Sequence, residues 1–229
     1  MSIASNLQRL HQEIAAACTR AQRNPSTVAL MAVSKMHPAA ALIEAHAAGQ
    51  RLFGENRVQE WQAKCAELPR LPGLETHLIG PLQNNKTAKA AEIFSAVDTL
   101  DSLKTAERLS ATARSLQKTL HILIEVKLSQ EDSKHGIAPE ELPALLAAVA
   151  RLDHLTVSGL MTVPPFDEDP ETARPYFQQL RRLRDENQSQ HPSLLELSMG
   201  MSNDFAVAIE EGSTTVRLGT AIFGKRDYP

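Results

Sequence analysis

Apolar residues Ile3, Leu7, Leu10 and Ile14 recur at three- and four-residue intervals, so the chain should open on an amphipathic helix. The pattern then changes. Residues 28–33 form a short apolar run without helical spacing, as expected of a buried strand, and Pro38 and Gly49 bracket the helix that should follow. The same alternation continues to the end. Further strands are expected at 51–54, 76–79, 96–100, 121–128, 155–162, 194–199 and 214–219, which with the first makes eight. Helices are expected between them at 58–67, 86–94, 103–113, 140–152, 171–187 and 202–211, with Ser102 and Ser202 as N-caps and Gly212 as a stop. Alternating strands and helices imply βαβ units and a parallel sheet.

Length decides how that sheet closes. The chain has 229 residues, 42% hydrophobic and 22% charged. One domain spanning 1–229 with one core fits, and eight units in that length favour a closed (β/α)8 TIM-type barrel over a doubly wound open sheet, the runner-up. The net charge of −3 gives no general attraction for nucleic acid. Cys18 and Cys65 are far apart and belong to no CxxC or Cys/His cluster, which argues against disulfides and a metal site and fits a reducing cytoplasm. The start of the chain has neither a basic segment nor an apolar run, and no stretch approaches the roughly 18 apolar residues of a membrane span. A cytoplasmic monomer is the expectation.

In a parallel barrel, chemistry gathers where strands end. The first expected strand runs into Ser34-Lys35, the second into Gly54-Glu55-Asn56; the third carries His77, the seventh leads to Gly200-Met-Ser202, and the eighth to Arg217-Leu-Gly-Thr220. An apolar strand beneath Lys35 would partly bury its ammonium and favour the neutral amine that attacks an aldehyde; the plainer reading is a surface lysine. Ser202, Gly219 and Thr220 offer hydroxyls, close backbone approach and helix N-termini to a phosphate, or merely cap and turn the chain. Arg217 is a donor for a ring nitrogen, or an ion-pair partner for Asp204, Glu210 or Glu211. His77 is equally well a satisfied core histidine.

Taken together, these segments resemble the YggS/PROSC family of pyridoxal 5′-phosphate (PLP) binding proteins. The resemblance rests on Ala32-Val-Ser-Lys35, Phe53-Gly-Glu-Asn56, Val58-Gln-Glu60, His77-Leu-Ile-Gly-Pro-Leu-Gln83, Asn85-Lys86, Ser133-Lys134, Gly159-Leu-Met161, Leu197-Ser-Met-Gly-Met-Ser202 and Val216-Arg-Leu-Gly-Thr-Ala-Ile-Phe-Gly224. It implies the barrel of the alanine racemase N-terminal domain, with PLP as a Schiff base on Lys35. It also implies Ser202, Gly219 and Thr220 on the phosphate, Arg217 at the pyridine nitrogen, and Asn56 and His77 flanking the ring. Lys134 matches a secondary PLP contact of relatives. Two positions depart from the pattern: His37 stands where many relatives have a lysine, and Arg57 where many have tyrosine.

The implied role is intracellular PLP homeostasis, with PLP and possible apo PLP-dependent enzymes as partners, no catalytic residue, no metal, and neither nucleic acid nor membrane. An arginine at the pyridine nitrogen disfavours a proton there and weakens the ring as an electron sink. Related racemases add a tyrosine base from a further β domain. This chain has two tyrosines, Tyr176 and Tyr228, and neither reads as a base at a strand end. The alternative is an amino-acid racemase-like PLP enzyme using Lys35 as its base. A third reading is a barrel enzyme for another phosphorylated substrate.

Overall fold

The computed structural model describes residues 2–129 and 135–224. Among them, eight strands close a parallel barrel in sequence order, β1 to β8, with β8 returning to pair with β1. The strands are β1 (Ala29–Val33), β2 (Leu52–Glu55), β3 (Glu75–Leu78), β4 (Ala96–Leu100), β5 (Leu120–Glu125), β6 (Leu155–Met161), β7 (Glu196–Ser198) and β8 (Thr215–Leu218). The expected count, order and parallel sense all hold, and the doubly wound alternative falls away.

Helices α1 (Ile3–Arg20) to α7 (Arg174–Gln188) enclose the barrel with α8 (Phe205–Glu210) and α9 (Thr220–Phe223). Between α1 and α7 come α2 (Ala39–Ala47), α3 (Val58–Glu67), α4 (Thr87–Ile93), α5 (Leu103–Ser115) and α6 (Leu142–Val149). The opening helix buries Leu7, Leu10, Ile14, Ala17 and Cys18 and packs on α2, α8 and α9. It thereby covers the wall beside β8, which α9 alone is too short to cover. Its N-cap is Ser2, whose hydroxyl accepts from the Ser5 amide. Ser102 caps α5 as expected, bonding the Thr105 amide.

Four elements differ from the expected pattern, each for a local reason. Strand five was expected to reach residue 128 but ends at Glu125, where Val126 turns to bridge Ile137 and Gly136 lies against the Glu125 carbonyl. Helix six begins two residues late because Pro139–Glu141 form a tighter turn, and helix seven begins at Arg174 after a similar turn at Pro170–Ala173. Helix eight starts at Phe205, so Ser202 lies in the loop before it and is not its cap. Both described cysteines are free thiols, Cys18 buried and Cys65 exposed. Among the described residues no helix is long and apolar enough to cross a membrane.

Candidate functional site

The C-terminal mouth of the barrel holds a cavity of about 540 Å³ whose wall includes Lys35, Asn56, Ser202, Arg217, Gly219 and Thr220. Six of the seven expected cofactor contacts thus share one cavity. They come from four strand ends that lie far apart in the sequence but adjacent around the ring.

Lys35 is half-buried one residue beyond Ser34, which is itself fully buried and extends the β1–β2 ladder through its amide to the Gly54 carbonyl. Asn56 follows β2 directly, and its backbone is met so closely by Gly80 that a Cβ there would lie 2.2 Å from the Asn56 carbonyl oxygen. Only glycine at position 80 allows the loops after β2 and β3 to approach this way.

On the opposite wall, Gly200 turns the chain after β7 with φ +97°, and a Cβ at that position would meet Ala208 at 2.6 Å. That turn releases Met201-Ser202-Asn203 toward the cavity. The Asp204 carboxylate folds back to accept the Met201 amide at 2.6 Å, and Asn203 donates to the Asp167 carbonyl at 2.9 Å, tying this loop to the one after β6. The Thr220 and Ser202 hydroxyls stand 3.4 Å apart, so two donors from different loops converge on one point. Thr220 opens α9, and the first amides of a helix have no partner within it. The reading of Ser202 as a mere helix cap is therefore wrong: the helix that it would cap starts three residues later.

Arg217 is buried within the barrel mouth. Its Nη1 donates to the Ser198 hydroxyl at 2.8 Å and its Nη2 to the Thr162 carbonyl at 2.9 Å. These bonds fix the guanidinium plane and leave other N–H groups of the fork for a ligand. Burial pulls its pKa down, while Asp98, Glu125 and Asp204 pull it back. The alternative of a surface ion pair with Asp204, Glu210 or Glu211 does not describe Arg217: Glu210 and Glu211 bind Arg174, with Arg20 and Arg181 beside them, and Asp204 acts on the guanidinium only through its charge.

His77 is the exception. It pairs in register with Ala96, the first residue of β4, and lines a different cavity at the strand starts, with Glu75, His121 and Glu196. Its Nδ1 lies 3.1 Å from an Asp98 carboxylate oxygen. The expectation that it flanks a ring beside Lys35 therefore needs correcting. A strand's place in the sequence does not give its height in a staggered barrel, and the structure shows a half-buried histidine bonded to Asp98 at the strand starts. Lys134 lies outside the described residues.

Sequence reasoning also missed part of the wall. Val163, Pro165, Phe166, Asp167 and Asp169, from the loop after β6, close one side of the cavity. The signal in the sequence is the cluster Pro164, Pro165 and Pro170 directly after a barrel strand, at the end where chemistry gathers. Ser198 and Thr162, the supports of Arg217, carried no signal beyond their strand-end positions.

A parallel barrel with a lysine, a buried guanidinium and a hydroxyl cradle at one mouth defines a class. The chain matches the family described as alanine racemase, N-terminal domain, over residues 5–227, and belongs to it. Within that class it belongs with the pyridoxal phosphate homeostasis proteins. It is 48% identical to the one of Pseudomonas aeruginosa, covering 99% of this chain and 97% of that one, and 44% identical to that of Escherichia coli K12, covering 99% and 97%. PipY of Synechococcus elongatus, solved without PLP and with PLP bound, is 44% identical with a TM-score of 0.87, covering 97% of this chain and 100% of PipY. Alanine racemase of Clostridium difficile shares the fold, with a TM-score of 0.75 at 14% identity, and this chain spans 57% of its length.

Proposed function

We propose that the cavity holds PLP, bonded as a Schiff base to Lys35, and that the chain is a cytoplasmic PLP carrier serving PLP homeostasis rather than an enzyme. The observation that carries this reading is the single cavity wall shared by Lys35, Arg217, Ser202 and Thr220. The residues fit the group. A dianionic phosphate suits two hydroxyls 3.4 Å apart beside the start of a helix. A pyridine nitrogen without a proton suits a guanidinium, which only donates. When bound, PLP supplies an aldehyde carbon, with which the Lys35 amine forms an imine and releases one water.

The surrounding residues favour holding the cofactor over amino-acid chemistry. Racemisation needs a base on each face of the reacting carbon. Among the described residues, no tyrosine lines the cavity, and Tyr176 lies on α7. Three aspartates line it, but each accepts a backbone amide of its own loop. Asp204 accepts from Met201 at 2.6 Å, Asp169 from Glu171 at 3.0 Å, and Asp167 from Asp169 at 2.9 Å. Burial raises the Asp204 carboxyl above its usual range against the pull of the Met201 amide and Arg217. The recipients on this reading are apo PLP-dependent enzymes.

Two measurements test it. Borohydride reduction of PLP-loaded protein followed by peptide mass mapping is expected to place the pyridoxyl group on Lys35; finding it chiefly elsewhere refutes the assignment. Loaded protein incubated with L-alanine and other amino acids in D2O is expected to exchange the α-proton no faster than free PLP does. Faster racemisation that disappears in Lys35→Ala would make the chain a racemase-like enzyme.

A further inference from the structure

Behind Lys35, on the side away from the cavity, lies a charged cluster that the proposed cofactor site does not use. Lys64 of α3 points inward and is only 7% exposed. Its Nζ donates to the Glu55 carboxylate at 2.6 Å, to the Ser34 carbonyl at 2.7 Å, and contacts the Glu60 carboxylate at 3.0 Å. An ammonium has three N–H bonds, and here all three have an acceptor. The Ser34 hydroxyl donates to the same Glu55 oxygen at 2.7 Å. Glu60 also accepts the Met36 amide.

The bonding pattern follows the backbone of Lys35. The peptide before it presents the Ser34 carbonyl to Lys64, and the peptide after it presents the Met36 amide to Glu60. Both peptide planes that set the direction of the Lys35 side chain are thus held by one cluster. A turn closed by the His37 amide on the Ser34 carbonyl at 3.1 Å completes the frame. Met36 takes φ +62°, a left-handed conformation unusual for a residue other than glycine, and its side chain is 61% exposed. Side-chain burial does not hold Met36 in that conformation; the bonds that span it are its own amide to Glu60 and the His37–Ser34 turn. The cluster also carries a cost: the second Glu55 oxygen is buried with no hydrogen-bond partner, and burial raises the Glu55 carboxyl despite Lys64 and Ser34. At Glu60 burial works in the same direction but is outweighed by the Met36 amide and Lys64, which leave its carboxyl below the usual range.

We propose that Glu55, Glu60 and Lys64 are positioning residues that preset the Lys35 backbone, so that its amine meets a carbonyl carbon held by the Ser202–Thr220 cradle. This rests on the PLP reading above. A preset amine raises the effective concentration of the nucleophile at the carbon, and a loosened backbone lowers it without touching the cradle. The cluster therefore acts on the covalent part of binding alone.

The test compares two probes, PLP and pyridoxamine 5′-phosphate, which has the same ring and phosphate but no aldehyde. The ratio of their dissociation constants reads the Lys35 contribution. In the wild type, a preference for PLP that vanishes in Lys35→Ala establishes the underlying reading; its absence refutes that reading separately. Given that preference, Glu60→Ala is expected to weaken PLP about tenfold, the loss of one hydrogen bond to a charged group, and to leave pyridoxamine 5′-phosphate unchanged. Glu60→Gln, which keeps an acceptor for the Met36 amide, is expected to regain most of the preference. Should Glu60→Ala not fold, Lys64→Arg, which keeps the charge but displaces its donors, is read by the same ratio and is expected to lower it. An unchanged ratio overturns the proposal. So does an equal weakening of both probes alongside a fall in Tm, which would make the cluster only a brace between α3 and the barrel.

Discussion

The two mouths of the barrel hold cavities of similar size, about 540 Å³ at the strand ends and about 600 Å³ at the strand starts, and both are lined by ionisable side chains. They differ in where their polar groups point. At the strand starts His77 binds Asp98, and His121 meets the Ser158 hydroxyl at 2.9 Å, so the histidines are bonded to the protein itself. At the strand ends the loops instead converge hydroxyls, a lysine and a guanidinium on shared space, and the cavity's carboxylates are turned back into their own loops. Charge and volume alone do not mark a ligand site; what sets the strand-end mouth apart is that donors from four strand ends share one cavity wall.

The largest effect that should separate the two mouths is the loss of reducible PLP. Lys35→Ala is expected to abolish borohydride-trapped pyridoxyl, while His77→Gln leaves it at wild-type level. Trapping that survives in Lys35→Ala, or that falls in His77→Gln, would break the contrast between the mouths.

Next comes the cradle. With hydrogen bonds to charged groups worth about 1.5–3 kcal/mol each, Ser202→Ala with Thr220→Ala should weaken PLP by at least an order of magnitude. Pyridoxal, which lacks the phosphate, should be affected far less. Dissociation constants for both ligands check this, and equal losses would mean that the hydroxyls only brace the loops.

The turn that delivers Ser202 is expected to matter to folding as well as to binding. Gly200→Ala combines a left-handed backbone with a Cβ placed 2.6 Å from that of Ala208. A cost of about 1–3 kcal/mol is expected, measured by urea unfolding of the PLP-free protein. A variant as stable as the wild type would show that the loop has another conformation open to it.

The smallest effect belongs to the strand starts. Burial opposes a charged His77, but Asp98, aided by Glu196 and Glu75, outweighs it and raises the pKa above the usual histidine value. A raised folded-state pKa stabilises the fold fully below the unfolded value of about 6.5, and that stabilisation fades as pH climbs through the folded value. His77→Gln should therefore cost about 1 kcal/mol near pH 5.5 and less near pH 8.5. Unfolding curves at the two pH values decide it; a cost that is flat or grows with pH would mean that His77 is buried neutral.

The sequence by itself determined the alternation of strands and helices, because hydrophobic period and glycine and proline punctuation are local. It also determined the lysine, arginine and hydroxyl residues, whose positions after apolar runs placed them at strand ends. Residues 58–67 were legible as α3 to the residue. Three matters were left to tertiary structure. One was the height of each side chain around a sheared barrel, which put His77 at the opposite mouth from Lys35. Another was the loop after β6 as a cavity wall, since its prolines show that the chain turns but not which way. The last was the clamp behind Lys35. Glu55 and Glu60 stand out in the sequence only as members of segments that carry the resemblance, and Lys64 not at all; only the closure of β1 on β2 with α3 above them brings their charges onto the two peptide groups beside the lysine. Periodicity is written in neighbouring residues, whereas convergence depends on how the barrel closes.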